Sequence, residues 1–339
     1  MPKFAKTLFQ LKPRSIILLA LIVSIILLLA KFAAYFFTKS NAILTDATES
    51  IVNVLASAFA FYSIYVTALP KDQNHPYGHG KVEFFSVFVE GILIFLAGAF
   101  IVIKTSYNIF YPQQIGQLLV GSYIIAITGL VNGALGWYLQ VQGKKINSLT
   151  LTADGKHLIT DAITSFGLVL GLIIIHFTQL NWIDSLISFV LGLFIIYSGY
   201  RLLRKAIGGL MDESDTKIVD EVINHLNQNR KPEWIDVHNL RTQRYGASVH
   251  IDCHVTFPYY FELTKVHEEV SLIDKSISKN ASIATEFFIH ADPCLPQCCH
   301  YCSMPNCPVR TEPKRKNMVW NLENVTKNLK HFEYDGKPI

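Results

Sequence analysis

Charge is what this sequence has least of. Of 339 residues only 17% are Asp, Glu, Lys or Arg, while half are apolar and the mean hydropathy is +0.30. Soluble domains run near a quarter charged, so this balance argues against an ordinary soluble domain. Glycine (19) and proline (13) are not in excess, which together with the apolar content argues against a disordered or collagen-like chain. Neither sign of charge dominates: 30 − 26 = +4, too little to imply nucleic acid. Cysteine is scarce until late. Five of the six crowd between Cys294 and Cys307, which suits a metal cluster better than a disulfide framework. No GxxxxGK[ST] loop is present to make ATP the driving force. His267-Glu-Glu-Val lacks the second His of the HExxH zinc-hydrolase pattern, so a membrane-tethered metalloenzyme is disfavoured and no covalent chemistry is implied.

What the chain has is hydropathy, unevenly spread. Six stretches near 15–38, 42–66, 84–110, 117–141, 149–178 and 182–205 reach the roughly 20 apolar residues a spanning helix needs. The first is too long for a cleaved signal peptide and is followed at once by further spans. With the N-terminus inside, twelve Lys and Arg fall on inner flanks, among them Lys3, Lys6, Lys12, Arg14, Lys144 and Arg201. Only Lys31, Lys39 and Lys104 fall on outer ones. The asymmetry predicts that both termini face the cytoplasm.

Most charge lies after residue 208. Helical spacing over 215–229 and 263–279, and strand patterns over 234–244, 247–257 and 283–290, predict an α-β-β-α-β domain, one sheet covered by helices. The expected organisation is a cytoplasmic N-terminus (1–14), an all-α six-span domain (15–207), a cytoplasmic α+β domain (208–294) and a Cys-rich, basic, mobile tail (295–339).

Ionisable side chains within spans are costly and mark function. The second span carries Asp46-x-x-Glu49-x-x-x-Asn53 and the fifth Asp154-x-x-His157-x-x-x-Asp161. A separation of four puts Glu49 with Asn53, and His157 with Asp161, on one helix face. Counted from opposite membrane faces, both pairs lie roughly 12–18 Å deep at 1.5 Å per residue, near the middle of a core about 30 Å thick. Two carboxylates, an imidazole and an amide suit a borderline ion such as Zn²⁺, and protons compete for the same lone pairs. Helix–helix hydrogen bonding is the plainer alternative. Asp46 and Asp154 flank the group as relay or gate carboxylates. In the loop after the second span, Asp72, His75 and His79 can converge on a metal in a turn made by Pro76 and Gly78.

The segments TDATESIVN (45–53), DQNHPYGHGKVE (72–83), ADGKHLITD (153–161), HNLRTQ (238–243) and IHADPC (289–294) resemble the cation diffusion facilitator family of divalent-metal transporters. The resemblance covers roughly residues 12–294. It implies a homodimer in a lipid bilayer, six spans per subunit, and a cytoplasmic domain of metallochaperone, ferredoxin-like shape. The implied activity is export of Zn²⁺ or a similar ion across the plasma membrane by proton antiport with alternating access. No organic cofactor and no nucleic acid partner are implied. The family's transport site maps onto Glu49, Asn53, His157 and Asp161, its loop site onto Asp72, His75 and His79, its cytoplasmic site onto His238, His254, His267, His290 and Asp292, and its interlocking ion pair onto Lys81 and Asp212.

Read by themselves, His254 projects from the polar face of its strand, His290 and Asp292 share one side, His267 flanks a helical core stripe, and His250 is a rival ligand. Two departures stand out. Asn53 replaces the usual acid or His, so the formal ligand charge falls to minus two, which bears on selectivity among Zn²⁺, Fe²⁺, Cd²⁺ and Co²⁺. The tail thiols Cys294, Cys298, Cys299, Cys302 and Cys307 match no standard signature but suit a soft metal. A membrane metal sensor that binds without carrying is the alternative function.

Overall fold

The computed structural model describes residues 13–110, 118–178, 180, 182–280 and 284–332; Lys3, Lys6, Lys12 and the tail residues 333–339 lie outside them. The chain divides between Met211 and Asp212 into two compact units.

The first unit is six long helices: α1 (Pro13–Thr38), α2 (Asn41–Thr67), α3 (Val82–Phe110), α4 (Leu118–Lys145), α5 (Leu149–Thr178) and α6 (Trp182–Leu210). Each contains a segment long and apolar enough to cross a bilayer. The unit is inside-out relative to a soluble core. Ile103 and Phe177 are 72% and 81% exposed, whereas Asp46, Glu49, Asn53, Asp154 and Asp161 are buried. That distribution is stable where the surroundings are hydrocarbon, since helices satisfy their own backbone groups and hide their polar side chains.

Helices approach closely where glycine allows it. A Cβ on Gly199 of α6 would stand 2.7 Å from the backbone nitrogen of Phe95 in α3, and one on Gly155 of α5 would stand 2.7 Å from the Gly136 carbonyl oxygen in α4. Small residues at such crossings are how membrane helices gain dispersion contacts. Helix ends are also secured. The buried Glu83 carboxylate accepts from the backbone N–H groups of Leu149 and Thr150 and from the Ser148 hydroxyl, satisfying the orphan donors that open α5. At α2, the Ser40 hydroxyl accepts from the Ile43 N–H and donates to Asp184 at 2.8 Å.

The second unit runs α7 (Thr216–Gln228), β1 (Asp236–Tyr245), β2 (Ser248–Phe257), α8 (Leu263–Asn280) and β3 (Ala284–Pro293), the expected αββαβ order. The sheet order is β1-β2-β3. β1 and β2 form an antiparallel pair turned by Gly246 at φ 60, while β3 runs parallel to β2 after a crossover through α8. The buried face comes from Val249, Ile251, Cys253, Val255 and Phe257 of β2 and from Ile218, Val222 and Leu226 of α7. One irregularity matters below. Between His238 and Arg241 the β1–β2 register slips, with Asn239 at φ 52 and its N–H donating to the Lys327 carbonyl.

The expectation of a mobile tail is corrected. Residues 295–332 pack within the second unit, because this segment carries its own apolar anchors. Trp320 is 1% exposed in the core, its backbone bonded at both N–H and carbonyl by the Asn227 amide, with the Arg230 guanidinium 3.8 Å from its ring centroid. Buried His331 pairs with buried Asp236, which also accepts from the Tyr301 hydroxyl. Of the basic run, Arg315 pairs with Glu312 and Lys314 donates to Ser303. The short helix α9 (Leu322–Val325) adds buried Val325 to the core.

Candidate metal centres

α2 and α5 bring Glu49, Asn53, His157 and Asp161 together in the interior of the first unit. One ligand atom each from Glu49, His157 and Asp161 lies within 4.8 Å of the others, and all three residues are buried. The Asn53 amide sits between two of them. Its Nδ2 donates to Asp161, and its Oδ1 accepts from His157 Nε2 at 2.7 Å. The other ring nitrogen, His157 Nδ1, lies 3.4 Å from the Asp161 carboxylate. The i, i+4 spacing on each helix is what lets two side chains per helix face one point.

Two further ionisable side chains stand near the group, Lys31 and Glu90. Lys31, which by residue number falls on an outer flank, is fully buried about two turns before the end of α1. It pairs with Asp46 at 2.9 Å, and Ser165 donates to the same carboxylate oxygen at 2.9 Å. Asp46 is thus a held carboxylate with an internal counter-charge. Asp154 is buried beside Ser57, Asp161 and a further buried carboxyl, Glu90 of α3. The signal for both extra residues was an ionisable side chain deep in an apolar run.

Asp72, His75 and His79 form a second group, mostly exposed, with ligand atoms within 4.8 Å. The turn is built by Gly78 at φ 85, whose N–H donates to the His75 carbonyl at 2.9 Å. The His75 backbone N–H donates to Asp72 at 2.6 Å, and that bond holds the carboxyl below its ordinary value. The two imidazole centroids are 4.4 Å apart.

In the second unit, register does the assembling. His238, His254 and His290 stand directly opposite one another across β1, β2 and β3. Ring centroids are 5.1 Å apart for His238 and His254 and 4.6 Å for His254 and His290. Asp292 reaches all three imidazoles at 3.3–3.4 Å, and His238, His254 and Asp292 fall within one 4.8 Å group. Burial pushes His238 down to about 4, against the pull of Asp236 and Asp292, so its imidazole is neutral with a lone pair free to ligate at neutral pH. The bulge at Asn239 shifts the alternation by one residue, so Leu240 joins Val237 in the core while His238 stays on the opposite face beside His254.

Not every expected residue joins. His267 lies exposed on α8, whose other side carries Val266, Val270, Ile273 and Ile277 into the core, and it is not in the group. His250 pairs instead with Glu286 and stacks on Phe288. Lys81 belongs to the first unit and Asp212 to the second; Asp212 takes φ 58 and accepts from Gln243. Of the tail thiols, Cys298 and Cys302 are buried while Cys294, Cys299 and Cys307 are partly exposed, and none of the five forms a disulfide.

Comparison with known proteins comes to one family. The family model described as the cation efflux transmembrane domain matches residues 17–211. The one described as the cation efflux protein cytoplasmic domain matches residues 214–294. An uncharacterized transporter of Synechocystis is 32% identical over 249 residues, 74% of this chain and 80% of the relative. Metal tolerance protein C1 of Arabidopsis thaliana is 25% identical over 93% of this chain and 67% of its own. The cation-efflux pump FieF of Cronobacter sakazakii is 25% identical over 82% of this chain and 91% of its own.

Proposed function

The chain belongs to the cation efflux family, and from that premise we propose that it exports Zn²⁺ in exchange for protons. Membership makes it a multi-pass membrane transporter of divalent cations; the ion, the antiport and the cycle are our reading. Zn²⁺ reaches the first unit from the cytosol, where Glu49, Asn53, His157 and Asp161 replace its hydration shell. Rocking of the helices turns the loaded site outward, and protons then displace the ion from His157 and the carboxylates. Fe²⁺, Cd²⁺ and Co²⁺ compete for the same donors, because a neutral amide in place of an acid leaves selection to geometry and softness.

The observation that carries this reading is the convergence of Glu49, His157 and Asp161 within 4.8 Å, bridged by Asn53, inside a helix bundle with an apolar exterior. Two carboxylates match the charge of one divalent ion, which no apolar interior could hold unpaired. In the same proposal the chain is a homodimer in the plasma membrane with both termini cytoplasmic. Asp72, His75 and His79 hold an ion in the loop, and His238, His254, His290 and Asp292 hold ions whose binding favours dimer closure by differential affinity. Asp46 and Asp154 gate the site from either side.

Zinc flux into proteoliposomes under an imposed pH gradient tests it. Wild-type protein should move zinc and counter-move protons, and His157→Ala should stop both. Binding without flux would turn the reading to a metal sensor, and flux unaffected by His157→Ala would sink it.

A further inference from the structure

The transport cycle uses none of the thiols, and the structure sorts them in a way the sequence spacing does not. Cys298 is 1% exposed and hydrogen-bonded with Tyr301, its neighbours being Asp236 and Lys330. Cys294 and Cys302 instead lie within electrostatic reach of each other and of Cys299 and Cys307, and these four line, together with one side of Cys298, a cavity of about 90 Å³.

The surrounding chain is built around those four. The Arg310 guanidinium donates to the carbonyls of Cys299 at 3.2 Å, Cys302 at 3.2 Å and Met304 at 3.0 Å, closing the loop and setting a fixed positive charge beside the sulfurs. The Thr311 hydroxyl donates to Cys299 Sγ at 3.6 Å, and the Met304 backbone N–H donates to Cys302. Donors aimed at sulfur, next to a cation, favour the thiolate and offset part of the burial that raises the Cys294 and Cys302 thiols. From Cys294 to Trp320 the only regular element is a 3₁₀ turn over Pro296–His300. A segment so poor in secondary structure that still buries Tyr301 and Trp320 is the kind of chain that a metal knots into shape.

We propose that Cys294, Cys299, Cys302 and Cys307 form a tetrathiolate centre for a thiophilic metal, one Zn²⁺ or one iron–sulfur cluster, with Cys298 outside it. Among the described residues no three of these sulfurs lie within 4.8 Å of one another. A single zinc, at about 2.3 Å per bond, holds tetrahedral sulfurs about 3.8 Å apart. One zinc would therefore have to draw these sulfurs closer together than they stand. Cys307 is followed by Pro308, as is the last cysteine of the bacterial iron–sulfur run. Four thiolates are the shared chemistry of both.

The full chain, purified in detergent without oxygen, decides it. Zinc and iron contents are measured, then cobalt is added as the probe, since thiolates give it near-ultraviolet charge-transfer absorption that imidazole and carboxylate do not. Wild type, Cys298→Ser and His157→Ala should each keep either one thiolate-bound zinc, replaced by cobalt with that absorption, or the visible spectrum and iron of one cluster. Cys299→Ser and Cys302→Ser should lose at least nine-tenths of the signal. Retention of the His157→Ala signal separates this centre from the transport site, whichever way the flux experiment falls. Wild-type protein with neither signature, Cys302→Ser with an undiminished one, or Cys298→Ser losing it as Cys302→Ser does would each overturn the assignment.

Discussion

The two units gather metal-binding side chains by different devices. In the second unit the geometry is that of a sheet: three histidines lie abreast because three strands are in register, and Asp292 follows two residues on. In the first unit it is that of helix pitch, with two residues one turn apart on each of α2 and α5 and the pairs joined through the Asn53 amide. The larger difference is in charge. Asp292 has both water and the Lys330 ammonium, 3.6 Å away, to answer it. Asp46 has only what the protein supplies, and the protein supplies Lys31. A membrane interior obliges the chain to carry its own counter-ions; a solvated sheet does not.

Substitutions break this contrast in a graded way. His157→Ala removes a ligand outright, so zinc flux should fall at least about 100-fold, beyond the 10–100-fold typical of losing a supporting partner. Metal bound by the second unit should be unchanged, as read by isothermal titration on the full chain. Lys31→Met leaves Asp46 charged and alone, which should cost about 3–5 kcal/mol in thermal or denaturant unfolding of the detergent-solubilised protein. Lys31→Met with Asp46→Asn should recover most of that loss, and failure to do so would show that Lys31 matters for something other than charge pairing.

The second unit offers a milder counterpart. Glu269 is buried and accepts from Lys231 at 2.9 Å, from Trp234 Nε1 at 3.1 Å and, as an ion pair, from Lys265 at 3.2 Å. Burial would push its carboxyl up, but those contacts outweigh burial and hold it below its ordinary value of 4.5. The folded protein then binds fewer protons than the unfolded one at acid pH. The stabilisation is complete above the unfolded value and is lost as pH falls through the folded one. Glu269→Gln should cost about 2 kcal/mol at neutral pH, the scale of hydrogen bonds to a charged group. The wild-type advantage should begin to fade as pH falls below about 4.5 and be gone only below the depressed folded value, measured by urea unfolding of both proteins across that range. Smallest is Asn239→Ala, which puts a less tolerant residue at φ 52 in the bulge beside His238. About 1 kcal/mol is expected, with Asn239→Gly near neutral in the same assay.

Much of the fold could be read in advance. Six apolar runs gave six helices, and alternation at Val249, Ile251, Cys253, Val255 and Phe257 gave the central strand with its buried face. Pairing by a separation of four on α2 and α5 was enough to suspect that Glu49, Asn53, His157 and Asp161 meet. What stayed hidden depended on partners far along the chain. Lys31 looks like a flank by residue number, and only the azimuth of α1 turns it toward Asp46. No local pattern sets which rows of β1, β2 and β3 align, so the grouping of His238, His254, His290 and Asp292 came from the family resemblance alone, and the departure of His267 and His250 from it was not legible. The tail read as mobile because its charge is local, while the groove that receives Trp320 is made by Asn227 of α7 and by Arg230 just beyond that helix.

The carboxylate of Glu83 stands at the threshold of α5, four residues after His79 closes the loop group. Pulling it away would strand three donors in a place water does not reach, a penalty of several kcal/mol. The start of α3 and the start of α5 are therefore pinned together, and sliding along their axes is closed to them. In the proposed transport cycle, a motion that opens His157 and Asp161 first to one side of the bilayer and then to the other would swing about that pin, like a door about its lower hinge, with the greatest travel at the far end of α5.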